Sequence, residues 1–284
     1  MDDRATDTGA RSAHGTWSAP ARETTADAEG MAAWPRLYGR RARIGLIVPV
    51  SNTTNEAEFS LYAPDGVTTH TMRAPLHLDS ARPDFERLRA DTVERARMLA
   101  PAGCDIIAYG CTASSMMTDE AALSAAVTEA TGLPMVTTFG SIVHALRTLG
   151  IRRLAVATPY VEALNAHERE HLGRHGFDVK AIRGLGIGRT PDEYRFLSRV
   201  PRAVLMKLVS DVMDEAGEVD GLLVSCTDLP TLDMIAVLED AYGLPVVTAN
   251  QATLWCVLRR LGLDEINLSL GQLFLRGLGR VRLS

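Results

Sequence analysis

The ordered pattern begins at Arg43-Ile-Gly-Leu-Ile-Val-Pro49, a short apolar run stopped by proline. A run without polar alternation suits a strand covered on both faces, as in a parallel sheet. The period then changes. Phe85, Leu88, Ala96 and Leu99 mark one face of a segment thick with Arg and Glu, and Asp84 after Pro83 supplies a helix start. Asp105-Ile-Ile-Ala-Tyr109 reads as a strand and Glu120 to Thr131 as a helix. Gly132-Leu-Pro-Met-Val-Thr137 is the next strand and Ser141 to Leu149 the next helix. Alternation of this kind predicts a parallel sheet flanked by helices.

The same order then recurs. Asp105 to Cys111-Thr112, Gly132-Leu-Pro134-Met-Val-Thr137 and Leu146-Arg-Thr-Leu-Gly150 reappear as Asp220 to Cys226-Thr227, Gly243-Leu-Pro245-Val-Val-Thr248 and Leu258-Arg-Arg-Leu-Gly262. The openings match too, Arg43 to Pro49 against Arg153 to Pro159. A repeat of this length implies two copies of one supersecondary unit. The expected fold is α/β, with two similar lobes, each a mainly parallel sheet flanked by helices, related by a pseudo-twofold axis. Residues 1–40, polar and without apolar periodicity, are expected to be a disordered tail. The lobes are expected at 41–150 and 151–250, and 251–284 should form a C-terminal helix and tail that could pack back on the first lobe.

Composition narrows the function. At 284 residues and 46% hydrophobic, the chain can bury a sizeable core. Its formal charge of −5, with no basic run, offers nucleic acid little to hold. No window approaches the roughly 18 apolar residues of a membrane span, and no export signal opens the chain. The four cysteines are therefore expected to be thiols in a cytoplasmic protein. Cys104 and Cys256 read as small buried hydrophobes. Cys111 and Cys226 differ, because both end repeated strands. In a parallel sheet such ends face the binding crevice, so two thiols would view one ligand from opposite sides. Thr112 and Thr227 add a hydroxyl beside each, and helix starts after both cysteines are expected to lower the thiol pKa.

Val48-Pro49-Val50-Ser51-Asn52-Thr53-Thr54, Tyr109-Gly110-Cys111-Thr112, Thr158-Pro159-Tyr160 and Ser225-Cys226-Thr227 resemble the aspartate/glutamate racemase superfamily, within it the maleate cis-trans isomerase and arylmalonate decarboxylase branch. The likeness runs from about residue 42 to about 263. It implies cofactor-free, metal-free chemistry on a small carboxylate by a homo-oligomer. By the same resemblance Cys111 and Cys226 are the catalytic pair, Cys111 as nucleophile or base and Cys226 as acid. Asn52 and Tyr160 are implied to bind substrate. The decarboxylases look similar but carry glycine where Cys111 stands, so two cysteines favour an isomerase or racemase. Decarboxylation, elimination and a non-catalytic binding protein are the rivals. One departure stands out: Gly184 falls where the maleate isomerases carry a second substrate-binding asparagine, which puts maleate itself in question.

Other signals are weaker. His167-Glu168-Arg169-Glu170-His171 fits the zinc pattern H-E-x-x-H. With Val161, Leu164 and Leu172 as the buried stripe, these residues are expected on the solvent face, holding no metal. Gly184-Leu-Gly186-Ile-Gly188 lacks dinucleotide spacing and reads as a loop. Asp228, Asp233, Glu239 and Asp240 read as caps and surface carboxylates, with Asp228 near enough to Cys226 to touch substrate or restrain the thiol. His70, His77 and His144 have no role assigned.

Overall fold

A computed structural model describes residues 34–76, 84–264 and 267–276. The expected tail up to residue 33, His77 and the chain end from 277 lie outside the described residues. From Leu37 onward the described residues form one compact unit.

Two four-stranded parallel sheets carry the fold. In the first, β1 (Ala42–Pro49), β2 (Val67–Ala74), β3 (Ile106–Tyr109) and β4 (Met135–Thr137) lie in the order β2-β1-β3-β4. In the second, β5 (Arg153–Tyr160), β6 (Asp178–Ile187), β7 (Gly221–Val224) and β8 (Val246–Thr248) take the order β6-β5-β7-β8. Helices flank both sheets, so the α/β architecture and the internal repeat hold. The central strands are covered on both faces: Ile44, Leu46, Ile47 and Val48 are all inaccessible to solvent.

The repeat extends to single hydrogen bonds. Asp105 accepts the Arg43 N–H at 2.8 Å, and Asp220 accepts the Arg153 N–H at 2.8 Å. Each carboxylate thus ties the start of one central strand to the next. Thr137 and Thr248 end β4 and β8 and cap the helices Thr138–Thr148 and Ala249–Arg260 by accepting from Gly140 and Gln251. These caps start the helices at once, so the first begins at Thr138 and not at Ser141. Strand β4 begins at Met135 because Gly132, at φ 72°, first closes the preceding helix in the left-handed region. Helix Ala249–Arg260 lies against Thr138–Thr148, with the Thr253 hydroxyl donating to Thr138 Oγ1 at 3.2 Å.

The halves differ after the cysteines. Cys111 is the N-cap of a short helix, Thr112–Met116. No helix starts at Cys226. A turn leads through Pro230 to the 3-10 segment Leu232–Met234. Among the described residues Cys226 is the one non-glycine with positive φ, at 114°. Such a backbone costs on the order of 1–3 kcal/mol and persists only where its surroundings enforce it.

Candidate functional site

In both sheets the chain reverses direction of travel between the first and third strands, and strand ends at such a switch point leave a crevice. Here a narrow cavity occupies it, between the halves. Asn52, Cys111, Thr112, Tyr160, Cys226 and Thr227, the six residues singled out in the sequence, all line it.

Their surroundings differ. Thr112 Oγ1 is buried with no partner in the chain, a hydroxyl left over for a ligand. Asn52 caps helix Thr54–Tyr62, its Oδ1 accepting from Thr54 and Asn55, while its amide nitrogen donates to Thr227 Oγ1 at 2.9 Å. Thr227 donates in turn to the Gly110 carbonyl at 3.0 Å. Its single hydroxyl proton is committed, so in this state Thr227 joins the halves. Asn52 keeps one N–H uncommitted.

The thiols are not acidified as expected. Burial pushes Cys111 up, against Ser114 Oγ at 3.3 Å from Sγ and the N–H groups of Ala113 and Ser114, which all favour thiolate. Burial pushes Cys226 up as well, and the Asp228 carboxylate adds to the rise. The Asp228 N–H, 3.4 Å from Sγ, and the Tyr160 hydroxyl oppose it. Removing water from a thiolate costs more than the few donors return. The environments are unequal, with more donors and no adjacent carboxylate at Cys111. Cys104 and Cys256 are also buried thiols, away from the cavity.

Several residues escaped the sequence reading. Tyr194 and Leu197, from the 3-10 segment Pro191–Arg199, join Leu76 as an apolar wall. They sit in connections without periodic pattern. Asp228, expected as a cap or surface carboxylate near enough to Cys226 to touch substrate, is a buried lining residue, and its Oδ1 caps helix Thr54–Tyr62 from the opposite half. Gly184 does not line the cavity. A Cβ there would stand 2.1 Å from the Tyr160 carbonyl oxygen and 2.6 Å from Asn165 Nδ2. Glycine is required by close packing of β6 on β5, where the register shifts between Thr158 and Tyr160.

Glu168 corrects the reading of the H-E-x-x-H segment. It is wholly buried, not on the solvent face. Its spacing of four from both Leu164 and Leu172 puts it on their stripe. Both carboxylate oxygens lack a hydrogen-bond partner of normal geometry, and Ser225 is the hydroxyl that moderates its ionisation. Among the described residues no cluster of His, Cys, Asp or Glu could hold a metal. No helix among them is long and apolar enough to cross a membrane.

Two buried glutamates carry a pH signature. Burial raises Glu168 to about 7, and raises Glu58 to about 7 despite N–H donors from Thr231, Leu232 and Asn250. Both bind their proton more tightly folded than unfolded. Their stabilising contribution is complete below about pH 4.5 and is lost as pH rises through about 7. The expected loss is on the order of 3 kcal/mol for each. His144 and His175, pushed down chiefly by burial, oppose the trend. Urea midpoints of the parent and Glu168→Gln at pH 5 and 8 isolate one contribution. The Gln variant should gain relative to the parent at pH 8, and a difference independent of pH would refute the assignment.

A cavity between two like parallel sheets, lined by a thiol that follows a strand of each, defines a two-lobed α/β protein with its binding site between the halves. The model of the arylmalonate decarboxylase family matches residues 44–274, and the chain belongs to that family. It is 32% identical to the arylmalonate decarboxylase of Bordetella bronchiseptica over 223 residues, covering 77% of this chain and 90% of that protein. It is 28% identical to the maleate isomerase of Geobacillus stearothermophilus over 239 residues, 78% and 92% of the two chains. Among solved structures, a Nocardia farcinica maleate cis-trans isomerase mutant with a covalently bound succinylcysteine intermediate superposes with a TM-score of 0.72 at 25% identity, over 82% of this chain and 98% of that one.

Proposed function

We propose that the chain is a cofactor-independent isomerase or racemase of a small carboxylate, similar to maleate isomerase, in which Cys111 and Cys226 act from opposite sides. One observation carries the reading: equivalent turns of two repeated halves deliver both thiols to one cavity, beside an unpartnered hydroxyl on Thr112.

Cys111 acts as thiolate. Ser114 and two backbone N–H groups counter part of the cost of its burial, and no carboxylate stands beside it. In cis-trans isomerisation its sulfur adds to the alkene, and the π pair moves onto the adjacent carboxylate as an enediolate. The former double bond rotates, the pair returns and the C–S bond breaks. In racemisation Cys111 removes the proton alpha to the carboxylate and the Cys226 thiol delivers one to the other face. Both routes build charge on a carboxylate, which Thr112, the spare Asn52 N–H and Tyr160 are placed to receive. One such donor is worth about 3 kcal/mol of barrier.

A second reading has its own support. The apolar wall of Leu76, Tyr194 and Leu197 suits an aryl or alkyl substituent. Decarboxylation of a substituted malonate would break the C–C bond, release CO₂ and leave the pair as an enediolate, which Cys226 protonates. Proton NMR in D₂O, with maleate and separately with phenylmalonate and no added cofactor, separates the two. Fumarate appearing from maleate supports the isomerase. Phenylacetate with untouched maleate supports the decarboxylase and overturns the first reading.

A further inference from the structure

Asp228 sits where the two halves meet, two residues after Cys226. Its Oδ1 accepts the N–H groups of Thr53 at 3.0 Å and Thr54 at 3.2 Å. The Thr54 hydroxyl donates to the Asp228 carbonyl at 3.0 Å. Its own N–H donates to Cys226 Sγ at 3.4 Å, a contact made by the positive φ of that cysteine. The other oxygen, Oδ2, is buried without a hydrogen-bond partner. One oxygen is therefore anchored across the cleft, while the other is buried without a donor in the turn that carries the second sulfur.

We propose that Asp228 is a positioning residue that keeps Cys226 in its thiol form and so makes the two cysteines unequal. The proposal rests on the division of labour above, with Cys111 as thiolate and Cys226 as proton donor, and gives it a cause. A negative charge beside Cys226 opposes a second one there, whereas Cys111 has no such neighbour. The titratable and charged groups that act with Asp228 are Cys226 from the same turn and Arg73 from β2. Arg73 is already tied to Glu56 and to the Asn52 carbonyl. Burial raises Asp228 to about 6, with the Thr53 and Thr54 N–H groups and Arg73 working against it. At neutral pH it is thus ionised and the bias is in force.

The test reads the thiol directly. In a Cys111→Ser background, alkylation of Cys226 by iodoacetamide is followed by peptide mass from pH 6 to 10, with and without Asp228→Asn. Asparagine retains the capping oxygen and removes the charge. The expected result is a rate–pH curve moved to lower pH by a unit or more. At pH 8 the rate should rise about threefold per unit, since a weaker base is also a weaker nucleophile. Cys256 serves as internal reference. An unmoved curve, or one moved to higher pH, overturns the proposal. A purely structural role would change the rate in Asp228→Glu as well, although that variant keeps the charge. Should the asparagine variant not fold, Asp228→Ser, also a capping residue, is read in the same way. Because no substrate is involved, absence of turnover on maleate and phenylmalonate would count against the proposed reaction and leave the thiol result standing.

Discussion

Replacing Cys111 by alanine is expected to lower kcat on the isomerised substrate by about 10²- to 10⁴-fold, the usual span for removing a positioned acid or base. The side chain is small, buried and flanked by its own donors, so the change leaves the fold intact. Thermal melting should move by only a degree or two. Cys226→Ala should be as severe on a racemised substrate, where Cys226 delivers the proton to the face that Cys111 does not reach. The pair of variants is also diagnostic between reactions. A decarboxylase needs one thiol to protonate the enediolate, so it would tolerate Cys111→Ala while failing with Cys226→Ala. Steady-state kinetics of the two proteins on maleate and phenylmalonate reads the difference, and near-normal turnover in Cys111→Ala would remove the two-thiol mechanism.

Gly184→Asn is expected to destabilise the protein by about 3 kcal/mol, as overpacking against an immobile neighbour does. The new Cβ would meet the Tyr160 carbonyl at 2.1 Å. Backbone cannot swing aside as a side chain can. A thermal melt should fall by several degrees, and maleate turnover should not improve, since position 184 faces Asn165 and Thr158 and not the cavity. A stable variant with improved maleate turnover would return this position to the substrate site. The glycine thus gives no grounds against maleate, contrary to the inference drawn from the motif alone.

The parts of the molecule legible in the sequence share one property: each is written in consecutive residues. Strands β1, β3, β5 and β7 are unbroken apolar runs, and the cysteines and Tyr160 stand where those runs stop. Two copies of the pattern located the cleft. The misread parts depend on contacts between distant segments. Glu168 lay on the Leu164–Leu172 stripe by spacing, but a carboxylate on an apolar face was taken for a surface group. Asp228 became a lining residue because helix Thr54–Tyr62, from the other half, supplies the N–H groups that anchor it. The thiol environments could not be read either. Donors are local, whereas burial is a property of the whole fold.

The bonds that close the cleft have a kinetic meaning. Asn52 to Thr227 and Asn250 to Glu58 join residues 175 and 192 positions apart. Each sheet, by contrast, is built from strands close in the chain. Closing long loops costs entropy before any contact is gained, and chains rich in distant pairings fold slowly. The sheets can therefore form while the cleft between them is still open, with both thiols solvated and far more reactive than in the native state. During synthesis the first half emerges complete but lacks its capping carboxylate, Asp228, until the end of β7 has left the ribosome. The cavity is expected to assemble after the two sheets, and an oxidant present early would meet two thiols that the finished protein shields.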